Sequence, residues 1–269
     1  MAADFALSEF QMLQKLLLVH GSWSYRRATK LVLNYLHKNF VLSANYFLYT
    51  LQSGWSGTFF ANSITMSLFN SVFTAYPLLF ASVIDQCYSA KMAIREPILY
   101  RDGPNNKNLN FWLFLRIVLS AVLETVVITT TTCFFLGLSS SPFSNGQSVD
   151  SAIIEDANIT IIFYMLTIRM AMETDTWIFI NFTLFLVSII VFNVWMFVYS
   201  IVTPEVKYKG NALRLFSMLE FWISLFFCVI ICNGCELLFR YFCRYSKKTV
   251  VGYKIIQELE KVWKKVLKN

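Results

Sequence analysis

The chain has 269 residues, of which 57% are apolar, 17% aromatic and 14% charged, against roughly 45–50% apolar and a quarter charged in soluble domains. A mean hydropathy of +0.54 excludes an ordinary soluble domain and places the chain among integral membrane proteins. The formal net charge of +7 does not point to nucleic acid, because basic excess in a multispan chain belongs to loops facing an anionic inner leaflet.

No cleavable signal peptide is expected at the start: Asp4, Glu9 and Lys15 lie in the first turns, and no small-residue cleavage site follows an apolar run. Residues 8–30 carry Phe10, Leu13 and Leu17 at helical spacing, which predicts a stalk helix leading straight into the first span. Six segments are apolar enough to cross a bilayer, at 31–52, 59–83, 111–137, 157–174, 177–201 and 213–239. The expected fold class is therefore all-α, a polytopic membrane bundle of six transmembrane helices. An even number puts both termini on one side, and Lys and Arg decide which. Lys15, Arg26, Arg27 and Lys30 precede the first span; Lys91, Arg95, Arg101 and Lys107 follow the second; Arg240, Arg244, Lys247 and Lys248 follow the sixth. The opposite loops hold no charge at 52–58 and only Asp150, Glu155 and Asp156 at 138–156, while Lys207 and Lys209 run against the trend. Both termini are expected in the cytoplasm. The domains then read as a stalk at 1–30, a membrane domain at 31–242 and a basic amphipathic tail at 243–269.

Within that tail, Ile255, Ile256, Leu259, Val262, Trp263, Val266 and Leu267 form one face and Lys254, Lys261, Lys264, Lys265 and Lys268 the other, as in a helix lying in an anionic interface. Asn158-Ile159-Thr160 fits a glycosylation sequon but lies hard against the fourth span. Cys228, Cys232 and Cys235 share one helical face, either as a soft metal set or as small packing residues, and Cys243 is a candidate for palmitoylation.

The first span holds Lys38-Asn39, and no Asp or Glu occurs between Glu9 and Asp85. A charge inside a spanning helix is a functional-site hypothesis by default, its partner being carbonyls, Asn and Ser side chains, water or an anionic ligand. The competing reading is a lysine near one bilayer face that snorkels along its stem. In the second span Pro77 removes a donor and frees a carbonyl one turn earlier, and Asn70 and Thr74 make a polar notch. That pattern fits a simple kink or a broken helix beside a substrate path. Glu124 in the third span and Glu220 in the sixth are candidate distant partners for Lys38 or Arg116. With only His20 and His37, and no phosphate-binding glycine motif, the chain holds no catalytic set of its own.

Several stretches, in order, resemble the P4-type ATPases, the phospholipid flippases. Asp4-Phe5-Ala6-Leu7-Ser8-Glu9-Phe10 and Leu16-Leu17-Leu18-Val19-His20-Gly21-Ser22-Trp23-Ser24-Tyr25 are similar to the end of the phosphorylation domain and the fifth-helix stalk. His37-Lys38-Asn39-Phe40 resembles the family's Y-K-N-F, Asn70 to Pro77 and Ile84-Asp85-Gln86 its sixth helix, Pro97-Ile98-Leu99-Tyr100 its P-x-L-Y loop, and Glu173-Thr174-Asp175-Thr176-Trp177 the turn between helices eight and nine. His37, Ala75 and Cys87 depart from the pattern, Cys87 replacing the second Asp of F-D-Q-D.

The resemblance implies a pump that moves phospholipid to the cytoplasmic leaflet, with Lys38 and Asn39 lining the headgroup path and Asn70 opposite them. It implies ATP and Mg2+ for the complete enzyme, though no cofactor in this chain, and a single accessory subunit as a further partner. The D-K-T-G-T phosphorylation motif, the motor domains and the first four membrane helices would lie before Met1, in the same polypeptide or a separate motor half. Without the phosphorylated Asp the isolated chain is expected to be inactive. The alternative is a motor-less scaffold, channel or scramblase on the same fold.

Overall fold

A computed structural model describes residues 6–57, 60–104, 109–137 and 149–246. The tail face at 254–269, the start of the Asp4–Phe10 stretch and most of the serine-rich loop lie outside these residues. Among the described residues six long helices carry the fold: α1 (Ser22–Gln52), α2 (Ser63–Ile84), α3 (Phe111–Gly137), α4 (Ser151–Glu173), α5 (Phe179–Val202) and α6 (Leu219–Ser246). Five of them, α2 to α6, are long and apolar enough to cross a membrane, α6 over Leu219–Phe242. Helix α1 is longer, at 31 residues, but Asn34, His37, Lys38, Asn39 and Asn45 make it more polar than the rest.

Below α1, the helix Met12–Lys15 and a π-helical turn at Leu16–Gly21 form the stalk, so its predicted helix is widened by one turn before the span. At its other end α1 stops at Gln52, where Gly54 and Trp55 both take left-handed backbone angles (φ 62° and 61°) and the Trp55 amide donates back to the Thr50 carbonyl. Trp55 bears the strain of that conformation without a glycine's freedom. The next helices are capped by side chains: Asn62 accepts from the Ile64 amide, Asn110 from Leu113 and Asp150 from Ser151.

Helix α4 is the central post, with 72% of its apolar window buried against 28% for α3 and for α5. It packs between α3, α5 and α6, while α1 lies mainly along α3 and α2. The core between α2, α4 and α5 is aromatic: Phe163 and Phe192 stack at 4.0 Å and Phe73 meets Phe192 edge-on at 5.3 Å. Many buried threonines are accommodated because the hydroxyl donates to the carbonyl one turn back, as Thr125 does to Ala121 and Thr167 to Phe163. The outward faces of α3, α5 and α6 expose Leu123, Ile190 and Ile230, which suits contact with lipid acyl chains.

Two boundaries differ from the sequence reading. Helix α4 begins at Ser151, drawing Glu155 and Asp156 into the helix. Glu155 is fully buried yet accepts from Tyr49 Oη (2.9 Å), Lys207 Nζ (2.7 Å) and Tyr208 Oη (2.9 Å), so its charge needs no solvent. The sixth segment is divided: a short helix at Asn211–Ser217 precedes α6, with Met218 extended between them. Asn158 is buried inside α4, so the sequon is not a surface acceptor in this fold.

Candidate functional site

Lys38 stands in the middle of α1 with only 2% of its surface exposed. Its Nζ donates to Thr74 Oγ1 at 3.1 Å and lies 4.9 Å from the centre of the Tyr35 ring. Among the described residues no carboxylate comes within ion-pair distance of it.

The partner hydroxyl is placed by a local break. Helix α2 widens into a π turn over Phe69–Phe73, and Thr74 follows it with both its amide (3.2 Å) and its hydroxyl (2.7 Å) donating to the Phe69 carbonyl. Pro77 has no N–H for the Phe73 carbonyl, and Ser188 of α5 supplies the missing donor at 2.6 Å. The freed carbonyl is thus claimed by a neighbouring helix. Ser188→Ala is expected to lower the stability of the bundle in detergent by about 1–3 kcal/mol, the cost of an unsatisfied buried acceptor. Adding Pro77→Ala restores an N–H in α2 and should recover most of the thermal midpoint; a double variant as weak as the single would refute the pairing.

Of the sequence candidates, Lys38 and Thr74 are bonded, and Pro77 is buried one turn beyond them. Asn39 is half-buried next to Lys38, and Asn70, within the wide turn, is exposed where Thr74 is buried.

Glu124 does not serve Lys38 or Arg116. It is 6% exposed and accepts from Arg169 Nη1 of α4, while its second oxygen stands 3.0 Å from His37 Nε2 of α1. That His37–Glu124 approach is within ion-pair range, yet neither atom makes an aligned hydrogen bond. Arg169 also lies 3.5 Å from Glu236 Oε2 of α6 and 3.9 Å from Glu173, and Arg240 bonds both Glu173 and Glu236. Arg116 donates to Glu236 at 2.6 Å and covers the Phe239 ring at 4.0 Å. Glu220 is half-buried in the first turn of α6 and pairs with neither cation. Sequence reasoning missed this network. Its trace was present in two i,i+4 pairs, Arg169–Glu173 and Glu236–Arg240, each at the end of an apolar run.

At the stalk end, Asp85, just past α2, ties α1 to the turn between α4 and α5. Its Oδ1 accepts from the Asp175 (3.0 Å) and Thr176 (2.9 Å) amides, its Oδ2 from Lys30 (2.6 Å), and its carbonyl from Arg27 (2.6 Å). Lys30 also bonds Asp175. Burial alone would lower the Lys30 pKa, but the bonds to Asp175 and Asp85 outweigh it and raise it, so the ammonium stays charged throughout the ordinary pH range. Asp85, Cys87 and Asp175 converge closely enough to hold a cation, and the Lys30 ammonium already bonds both carboxylates there. Burial pushes the Cys87 thiol up to about 11, and it donates to Asp175 Oδ2 at 3.0 Å, so it is a neutral donor and a poor metal ligand. Cys228 and Cys232 are buried whereas Cys235 is exposed, so these three thiols do not line one pocket.

Residues 1–249 match the family described as "Phospholipid-translocating P-type ATPase C-terminal". The chain is similar to "Probable phospholipid-transporting ATPase 7" of Arabidopsis thaliana, 26% identical over 217 residues that make up 81% of this chain and 17% of the relative. It is also similar to "Probable phospholipid-transporting ATPase 5" of the same plant, 28% identical over 219 residues (80% of this chain, 17% of the relative). "Phospholipid-transporting ATPase DRS2" of Saccharomyces cerevisiae is 27% identical over 267 residues, 97% of this chain and 19% of the relative. The chain thus spans less than a fifth of the length of each of these relatives.

Proposed function

The chain belongs to the phospholipid-translocating P-type ATPases, as their C-terminal region, and from that premise we propose that it supplies part of the path by which a phospholipid headgroup crosses to the cytoplasmic leaflet. Lys38 is the central contact, with Thr74 as its resting partner, Asn39 and Asn70 as further polar groups along the route, and Pro77 holding the break in α2. Helix α1 acts as a sixth span, both termini face the cytoplasm, and the segments divide as stalk (1–30), membrane domain (31–242) and interfacial tail (243–269).

The observation that carries this reading is the uncompensated charge of Lys38. Its ammonium has three donors and gives one to Thr74. A buried cation without an acid beside it favours an anionic ligand, and lipid phosphate or carboxylate oxygens supply the charge-assisted bonds it lacks. The absence of any Asp or Glu from 10–84 speaks against a cation path through α1 and α2, since hard cations need several oxygen ligands. ATP and Mg2+ act, in this reading, on a motor half bearing the phosphorylated aspartate, which these residues do not include. The chain alone is then inactive, and a single accessory subunit is a further partner.

The test is Lys38→Ala in the pump that carries this region. Loss of one charge-assisted bond, worth about 1.5–3 kcal/mol, should raise the phospholipid concentration for half-maximal ATPase activity at least tenfold. An unchanged lipid dependence would overturn the headgroup role. Lipid movement by the chain in liposomes without ATP would instead favour the motor-less reading.

A further inference from the structure

We infer that His37 is a positioning residue, which sets where the Lys38 ammonium stands by engaging Glu124 on another side of α1. The inference rests on the headgroup role proposed for Lys38 and adds the element that controls it. Consecutive residues project about 100° apart around a helix, and here they reach different neighbours: Lys38 meets Thr74 of α2, and His37 meets Glu124 of α3. At this level of the helix α1 therefore makes two polar attachments, and turning it about its axis changes both.

The His37 attachment is half made. Glu124 Oε1 is taken by Arg169, leaving Oε2 and the His37 Nε2 within 3.0 Å but misaligned, both buried and both without another hydrogen-bond partner. Two buried polar atoms left in that relation are costly, and a small turn of α1 would join them. Higher along α1, Asn45 is anchored to α3 by two long bonds, donating to Thr125 Oγ1 and accepting from Thr129 Oγ1, each at 3.4 Å. The Glu124 side cannot follow α1, because Arg169 and through it Glu236 and Glu173 fix it to α4 and α6. Completing the His37–Glu124 bond therefore moves α1, and Lys38 with it, relative to Thr74. A network of three fixed helices thus holds one end of a lever whose other end is the headgroup contact.

The test is a double-variant cycle in the pump that carries this region, reading ATPase activity against phospholipid concentration in mixed micelles. His37→Leu removes the donor and should raise the half-saturating phospholipid concentration five- to tenfold, with the maximum rate changing less than twofold. His37→Gln keeps an N–H at similar reach and should return the value to within twofold of the parent. His37→Leu combined with Lys38→Ala should be no worse than Lys38→Ala alone. If the leucine variant does not accumulate, His37→Asn, one methylene too short to reach Glu124, should give the same shift. An unshifted His37 variant beside a shifted Lys38→Ala, or two shifts that multiply, would overturn the positioning role and leave the headgroup reading intact. A Lys38→Ala pump with unchanged lipid dependence would overturn both.

Discussion

Replacing Arg169 with methionine is expected to lower the stability of the folded bundle by about 3–5 kcal/mol, the cost of removing one partner from a buried ion pair. The size follows from who is left behind. Arg240 continues to hold Glu173 and Glu236, and Arg116 continues to hold Glu236. Glu124 has no such reserve: without Arg169 its carboxylate, 6% exposed among the helices, keeps only the misaligned His37. The loss should therefore be recovered by neutralising Glu124. Arg169→Met with Glu124→Gln is expected to regain more than half of the drop in thermal midpoint measured in detergent, whereas Arg169→Met with Glu173→Gln should not. Equal recovery by both second-site changes would mean that the charge is shared across the network instead of concentrated on Glu124. Methionine is chosen because its stem fills much of the volume of the arginine, which separates charge loss from cavity formation.

The network also shows what the sequence could and could not reveal. Apolar runs located α3 and α5 within a residue or two, because a long greasy segment bounded by polar residues has few other structures open to it in lipid. The consequence of Pro77 was equally legible, since the loss of an N–H is a local event. Its remedy was not: Ser188 lies 115 residues from Phe73, whose carbonyl it satisfies, on a helix brought alongside only by the fold. The same distance in sequence hid Arg169 from Glu124 and Arg116 from Glu236, separated by 45 and 120 residues. Lone charges announce that a partner exists and say nothing of which helix bears it. Asn70 and Thr74 make the point in reverse, for a regular helix would put them on one face and the π turn parts them. Lys207, which ran against the charge bias of its loop, and Glu155, which was counted among the acids of the 138–156 loop, explain one another once they are seen to be paired.

That pair leads to the second large effect. Glu155→Leu is expected to destabilise the bundle by about 2–4 kcal/mol, because it strands the donors that the carboxylate gathers. Lys207 is 38% exposed at its side chain and can turn towards water, so its share is small. Tyr208 cannot: it is 5% exposed, and burial together with the bond to Glu155 raises its pKa, keeping the hydroxyl a donor in need of an acceptor. Tyr49 is the third donor and the most consequential, since it lies in the last turn of α1 and fastens that end to α4. Tyr208→Phe in the Glu155→Leu background should therefore recover part of the midpoint, and Lys207→Met should recover little. Hydrogen exchange should reveal the remainder as faster opening confined to the last turns of α1, where Thr50 and Leu51 precede the strained turn at Trp55. Uniform loosening across all the helices would contradict the role of Glu155 as a local fastening for the helix that carries Lys38.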